Sequence, residues 1–176
     1  MNAITDSVAS LVRQLEEDLE TQGWDQPSAL YVIEAMEDND PYLVKIMHFD
    51  AHPCDVLDAL PPLTESAARG VVINYEAYSV EVNGNAVKEA YALLEHMGVP
   101  IYMRDEIVSH MIAEINPPVE GQRIECRFVQ AMLRDGTSIT AMRKRGEEAN
   151  EIIDSEESRG RLDTSLRRVI CVEAVE

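Results

Sequence analysis

The apolar periodicities of this chain predict an α+β fold, a mostly antiparallel sheet of about five strands covered by helices. Three observations carry that expectation. Asp135-Gly136 stands between two runs of strand character, residues 123–133 and 137–145, the signature of a β-hairpin. Glu37-Asp38-Asn39-Asp40-Pro41 separates two further β-like runs, Ala29 to Met36 and Tyr42 to Phe49, so a second hairpin is expected. Gly70 introduces Val71 to Val80, which starts with apolar residues in both alternation classes, as a strand covered on both faces does. Hairpins join antiparallel neighbours, whereas a doubly wound parallel sheet needs a crossover after every strand.

The remaining elements follow in order. Ile4, Val8, Leu11, Val12, Leu15 and Leu19 recur at spacings of three and four, with Thr5 or Asp6 to cap the helix and Gly23 to end it. Glu16, Glu17, Asp18 and Glu20 crowd its last turns, where the helix dipole favours cations; tertiary packing has to offset that cost. Pro53 suits the first position of a short helix bearing Val56, Leu57 and Leu60, and Pro61-Pro62 stops it. Asn83-Gly84-Asn85 opens a helix through Val87, Ala90, Tyr91, Leu94 and Met97, ended by Gly98. Another is expected through Ile107, Val108, Met111, Ile112 and Ile115, and the two are expected to cover one sheet face.

For the Asp135-Gly136 hairpin, a two-residue type I′ turn pairs Arg134 with Thr137 and hence Phe128 with Arg143 and Arg127 with Lys144. Ile124, Cys126, Phe128, Met132, Ile139 and Ala141 would then face the core, with Arg123, Glu125, Arg127 and Lys144 on the other side. Residues 146–160 hold six acidic side chains and read as a mobile acidic loop. A final helix through Leu162, Leu166, Val169 and Ile170 is expected to send Arg161, Arg167 and Arg168 outward. All of this fits one domain over residues 1–176.

At 176 residues the chain buries enough surface to need no disulfide or metal staple. No apolar run approaches the roughly 18 residues that cross a bilayer, and the first twenty residues are too charged for a signal peptide; a cytoplasmic protein without membrane partners is expected. Fifteen basic residues face 33 acidic ones, a formal net charge of −18, which opposes direct binding to nucleic acid or anionic lipid. The excess is graded: −11 over residues 1–60, −6 over 61–120 and −1 over 121–176. Contact between the acidic start and the Arg-rich end is therefore expected, within one molecule or between two.

Catalytic constellations are sparse. His48, His52, Cys54, Asp50 and Asp55 gather metal-ligand types, but a strand end and a helix start do not place two histidines on one helical face, so no metal or other cofactor is expected. Cys54 beside His52 at a helix start is the single candidate for an activated thiol, and Glu34 with Glu76 is an acidic pair of a kind that chance supplies in so acidic a chain. Neither G-x-G-x-x-G nor a P-loop occurs, and G-x-S-x-G is missing. Arg143-Lys144-Arg145, with Arg123, Arg127 and Arg134, has few exposed aromatic neighbours for base stacking, and strand alternation splits Arg143 and Arg145 from Lys144. Cys54, Cys126 and Cys171 read as small buried hydrophobes.

Gly23-Trp24-Asp25-Gln26-Pro27-x-x-Leu30-Tyr31, the strand Val72 to Tyr78, and Arg127-Phe128-Val129-x-Ala131-x-Leu133-Arg134-Asp135-Gly136-Thr137, followed by Arg143-x-Arg145-Gly146-Glu147, resemble uncharacterised small acidic proteins of actinobacteria and their phages. The resemblance implies a context and no chemistry: an accessory factor that binds a host protein.

The function expected from sequence is that of a non-enzymatic acidic interaction protein. Its surface is led by Glu16, Glu17, Asp18, Glu20, Glu37, Asp38 and Asp40, and it engages a basic protein, a second copy of itself, or a site that normally holds nucleic acid. The alternative is a small metal- or thiol-dependent hydrolase built on His48, His52 and Cys54.

Overall fold

Val8, Val12 and Leu19 lie on one face of the first helix, and burying that stripe requires a flat apolar partner. In the computed structural model, which describes residues 3–35, 40–63, 68–80, 84–100, 103–104, 107–108, 123–154 and 161–171, that partner is a six-stranded antiparallel sheet. In chain order the elements are α1 (Ala3–Gln22), β1 (Ser28–Ala35), β2 (Pro41–Phe49), α2 (Pro53–Ala59), β3 (Gly70–Val80), α3 (Gly84–His96), β4 (Arg123–Leu133), β5 (Ser138–Lys144), β6 (Glu151–Asp154) and α4 (Arg161–Ile170). The sheet runs β2-β1-β3-β4-β5-β6, with every neighbouring pair antiparallel. The fold is α+β as expected, with six strands.

Helices cover both faces. On one, α1 packs over Tyr31, Ile33, Val72, Val129, Ala131 and Ile139. On the other, α2 and α4 bring Leu57, Leu166, Val169 and Ile170 against Leu30, Val32, Val71, Ile73 and Met132. Both alternation classes of β1 and of the first half of β3 are therefore buried, which is why these strands read as continuous apolar runs. Of the pair expected to cover a face, α3 contributes no described residue to either cluster, although Leu94 is buried. It lies between β3 and β4, which pair from Gly70↔Leu133 to Val80↔Arg123. Of the helix expected through Ile115, residues 107–108 are helical and the rest lie outside the described residues.

The β4–β5 turn departs from expectation by one residue. Leu133 N–H donates to Thr137 O and Gly136 N–H to Leu133 O, enclosing three residues with Gly136 at φ +85°. This is the three-residue loop whose last position needs the left-handed conformation. Arg127 therefore pairs with Arg143 and Phe128 with Met142. A one-residue slip exchanges faces: Ile139 and Ala141 join Val129 and Ala131 under α1, and Arg127 and Arg143 turn to the same face. Phe128 stacks on Tyr75 across β3, ring centroids 5.1 Å apart. The expected acidic loop contains a sixth strand, Glu151 to Asp154 pairing with β5.

Arg161 and Arg168 of α4 are exposed as expected and Arg167 is half-buried, yet all three are also tethered to the chain. Arg161 contacts Asp55 (3.0 Å) and Asp58 (2.9 Å), and Arg168 donates to the carbonyls of Leu57 and Leu60 at the open end of α2. Ser165 Oγ donates to Asp58 at 2.6 Å; this bond first, then Arg161, holds the Asp58 carboxyl below the usual range. No described helix is long and apolar enough to cross a membrane.

Gly70 sits where three strands crowd together. A Cβ there would lie 2.6 Å from Met132 O and 2.9 Å from Leu133 Cδ2. Gly70→Ala is expected to cost about 1–3 kcal/mol through overpacking, read as a lower urea midpoint at unchanged slope.

Candidate functional site

The α1 stripe of Val8 and Val12 continues, four residues on, not with an apolar side chain but with Glu16, which has no solvent exposure. A buried carboxylate has to be paired and hydrogen-bonded. The slipped hairpin supplies the partners, because it places Arg127 and Arg143 side by side beneath α1. Arg143 Nε donates to Glu16 Oε1 at 2.8 Å and Nη2 to Oε2 at 2.7 Å, a bidentate pair, and Asn150 Nδ2 adds a bond to Oε2 at 2.8 Å. Arg143 Nη1 reaches the carbonyls of Glu148 (2.6 Å) and Glu147 (3.3 Å), fixing the chain between β5 and β6. Its hydrogen bonds to Glu16 hold the Arg143 guanidinium even more firmly charged than usual.

Arg127, 1% exposed, extends the cluster to the next strand. It donates to Glu20 Oε2 (2.9 Å), to Glu76 Oε1 (3.1 and 3.2 Å) and to Gly23 O at the end of α1 (2.6 Å). The cations missing from the last turns of α1 thus arrive from β4 and β5. The Trp24 ring lies over both Arg127 (4.5 Å) and Arg145 (5.3 Å). Arg145 continues to Glu125 (2.5 Å) and Asp25 (3.2 Å), and Glu76 Oε2 accepts the Asp25 N–H at 2.9 Å. Asp25, at φ +64°, turns this loop back toward the sheet.

Asp25, Glu76 and Glu125 bring carboxylate oxygens within 4.8 Å of one another, a grouping able to hold a cation. Arg127 and Arg145 already donate to all three, so these carboxylates are engaged by the protein's own side chains.

The residues expected to form the acidic surface fall into three groups. Glu16 is interior and Glu20 is committed to Arg127, so neither offers a free charge to a partner. Glu17, Asp18 and Asp40 are exposed; Glu37 and Asp38 lie outside the described residues. The signal for Glu16 was its place on the Val8–Val12 period, where an apolar residue belongs. Its companions were hidden by the register: with Arg127 set opposite Lys144, no pair of arginines faces α1.

The hydrolase constellation does not assemble. His48 lines a cleft under α1, whereas α2, which carries Cys54, packs with α4 on the other side of the sheet. His52 caps α2, its Nδ1 accepting the Cys54 N–H at 3.3 Å. Burial pushes the Cys54 thiol up, and the downward pull of Arg161 does not reverse it, the opposite of an activated nucleophile. Glu34 accepts from Tyr42 at 2.6 Å and Glu76 pairs with Arg127, so that acidic pair does not form either. Cys54 and Cys126 are buried as expected, but Cys171 is exposed, at φ +60° just past α4. No family model, curated protein or solved structure matches the chain.

Two outcomes are expected. Glu16→Leu removes the carboxylate that pairs with the buried Arg143 guanidinium and lowers stability by about 3–5 kcal/mol in denaturant titrations followed by Trp24 fluorescence; Arg143→Met in the same chain recovers a large part of the loss. Maleimide labelling of the native protein should modify Cys171 first and leave Cys54 and Cys126 protected until unfolding.

Proposed function

We propose that this protein is a non-enzymatic interaction protein that presents an acidic surface to a basic protein partner. One observation carries the reading: seven arginines of the last third of the chain are bonded within the chain. Arg127, Arg143, Arg145, Arg161 and Arg167 pair with carboxylates of the same chain, while Arg134 and Arg168 donate to backbone carbonyls. Because 33 acids face only 15 bases, such pairing leaves unpaired carboxylates at the surface. Asp6, Glu17, Asp40 and Asp50 are exposed and have no ion-pair partner among the described residues. Their field steers a cationic partner and repels phosphate backbones.

The raised Cys54 thiol and the capping role of His52 support this reading over a hydrolase. The resemblance to small acidic proteins of actinobacterial phages is consistent with a host protein as the partner. A surface that occupies a nucleic-acid site is a narrower form of the same proposal.

The test uses charges that are not committed to the fold. A Glu17→Lys/Asp18→Lys/Asp40→Lys variant is expected to melt as the parent does and to bind the partner, identified by pull-down and mass spectrometry, at least about tenfold more weakly. Affinity of the parent should fall steeply with salt, and competing DNA should displace it if the partner normally binds nucleic acid. An affinity that ignores both the reversals and the salt rejects the proposal.

A further inference from the structure

Asn74, Ala29 and His48 form a straight row across β3, β1 and β2. Directly opposed residues share a sheet face, so the row lies on the side covered by α1, and two strand spacings put the end Cα atoms roughly 10 Å apart. The middle residue contributes only a methyl group. The space above it remains open as a cleft of about 170 Å³, walled by Leu15 and Leu19 of α1.

A β-bulge equips the outer end. Leu30 pairs with Met47 and Tyr31 with Lys45, which leaves Ile46 as an extra residue on β2. Regular alternation would send Lys45 to the face opposite His48; the bulge returns it to the same face. Lys45 Nζ lies 3.4 Å from His48 Nε2 and 5.5 Å from the centre of the Tyr31 ring. The inner end is Asn74, 3% exposed, whose Oδ1 has no hydrogen-bond partner. An orphaned buried acceptor beside an open cavity calls for a donor from outside the chain.

We propose that this cleft binds a small organic monocarboxylate with an apolar body and an O–H or N–H donor at its far end. The donor reaches Asn74 Oδ1, the body lies over Ala29 between Leu15 and Leu19, and the carboxylate meets Lys45 and His48. The volume suits one ring. Asp18 also lines the cleft, its Oδ1 accepting from Gln14 Nε2 at 3.0 Å, and a carboxylate there disfavours phosphates and other polyanions.

Titration of the isotopically labelled full-length protein with 4-hydroxybenzoate, followed by NMR, tests this. A saturable shift of the Asn74 side-chain amide and the Ala29 backbone amide is expected. Benzoate, which lacks the donor, should bind about fivefold more weakly, the factor of one neutral hydrogen bond. Phosphate should shift neither group. Asn74→Leu should bind the two benzoates alike, and Lys45→Ala, a change at an exposed edge that leaves the core untouched, should weaken both about tenfold. No saturable shift in the parent protein overturns the assignment. So does equal affinity for the two benzoates, the result expected if a water molecule alone completes Asn74, or an affinity unchanged by Lys45→Ala.

Discussion

Two guanidinium groups sit side by side on adjacent strands beneath a helix, and much of this structure answers to that juxtaposition. Arg127 and Arg143 are directly opposed, nearly or fully buried and of like charge. Opposed like charges destabilise a sheet even at its surface, and in an interior each unpaired ion costs several kcal/mol. The arrangement stands because Glu16 enters from α1 into the same layer, Glu20 and Glu76 flank it, and backbone carbonyls of Gly23, Glu147 and Glu148 take the remaining protons. Glu16 together with Glu20 and the Gly23 carbonyl fixes the register of α1 over the two arginines.

The cluster also joins segments distant in sequence. Through Arg127 it holds the Gly23–Trp24 turn, through Arg145 it reaches Asp25 and Glu125, and through Arg143 it pins the chain leading into β6. The segment after β5 is held first by Arg143, through the carbonyls of Glu147 and Glu148, and then by the pairing of β6 with β5. On the opposite face the same logic operates at smaller scale: Arg161 and Arg168 tie α4 to α2 through carboxylates and helix-end carbonyls. Basic residues, scarce in this chain, act as fasteners between its segments, and the two buried arginines are matched by two buried acids, Glu16 and Asp163.

The sequence was legible where local rules suffice. The period of Val8, Val12, Leu15 and Leu19, the proline that opens α2, the doubly apolar start of β3 and the Asp135-Gly136 turn each located an element of the right type, because helix and strand periodicity and turn chemistry act within a few residues. The one-residue error at that turn shows where such rules stop. Asp-Gly suits both a two-residue and a three-residue loop, and the choice depends on which register buries Ile139 and Ala141 under α1 while giving Arg143 a carboxylate. Glu16 looked like one of four acids on a helix end; its burial depends on arginines more than a hundred residues away.

What the sequence determined by itself was the α+β class, the position of the described helices and of every strand but β6, and the electrostatic asymmetry between the two ends of the chain. Tertiary structure decided which charges remain outside. Glu16 passed from the expected surface to the interior, Glu20 became committed to Arg127, Arg127 and Arg143 were buried beside them, and the bulge at Ile46 set Lys45 beside His48 over an unsatisfied Asn74. The physical reason is the same throughout. Periodicity is a property of one segment, whereas the pairing of a buried charge or the filling of a row across three strands depends on residues that only the fold brings together.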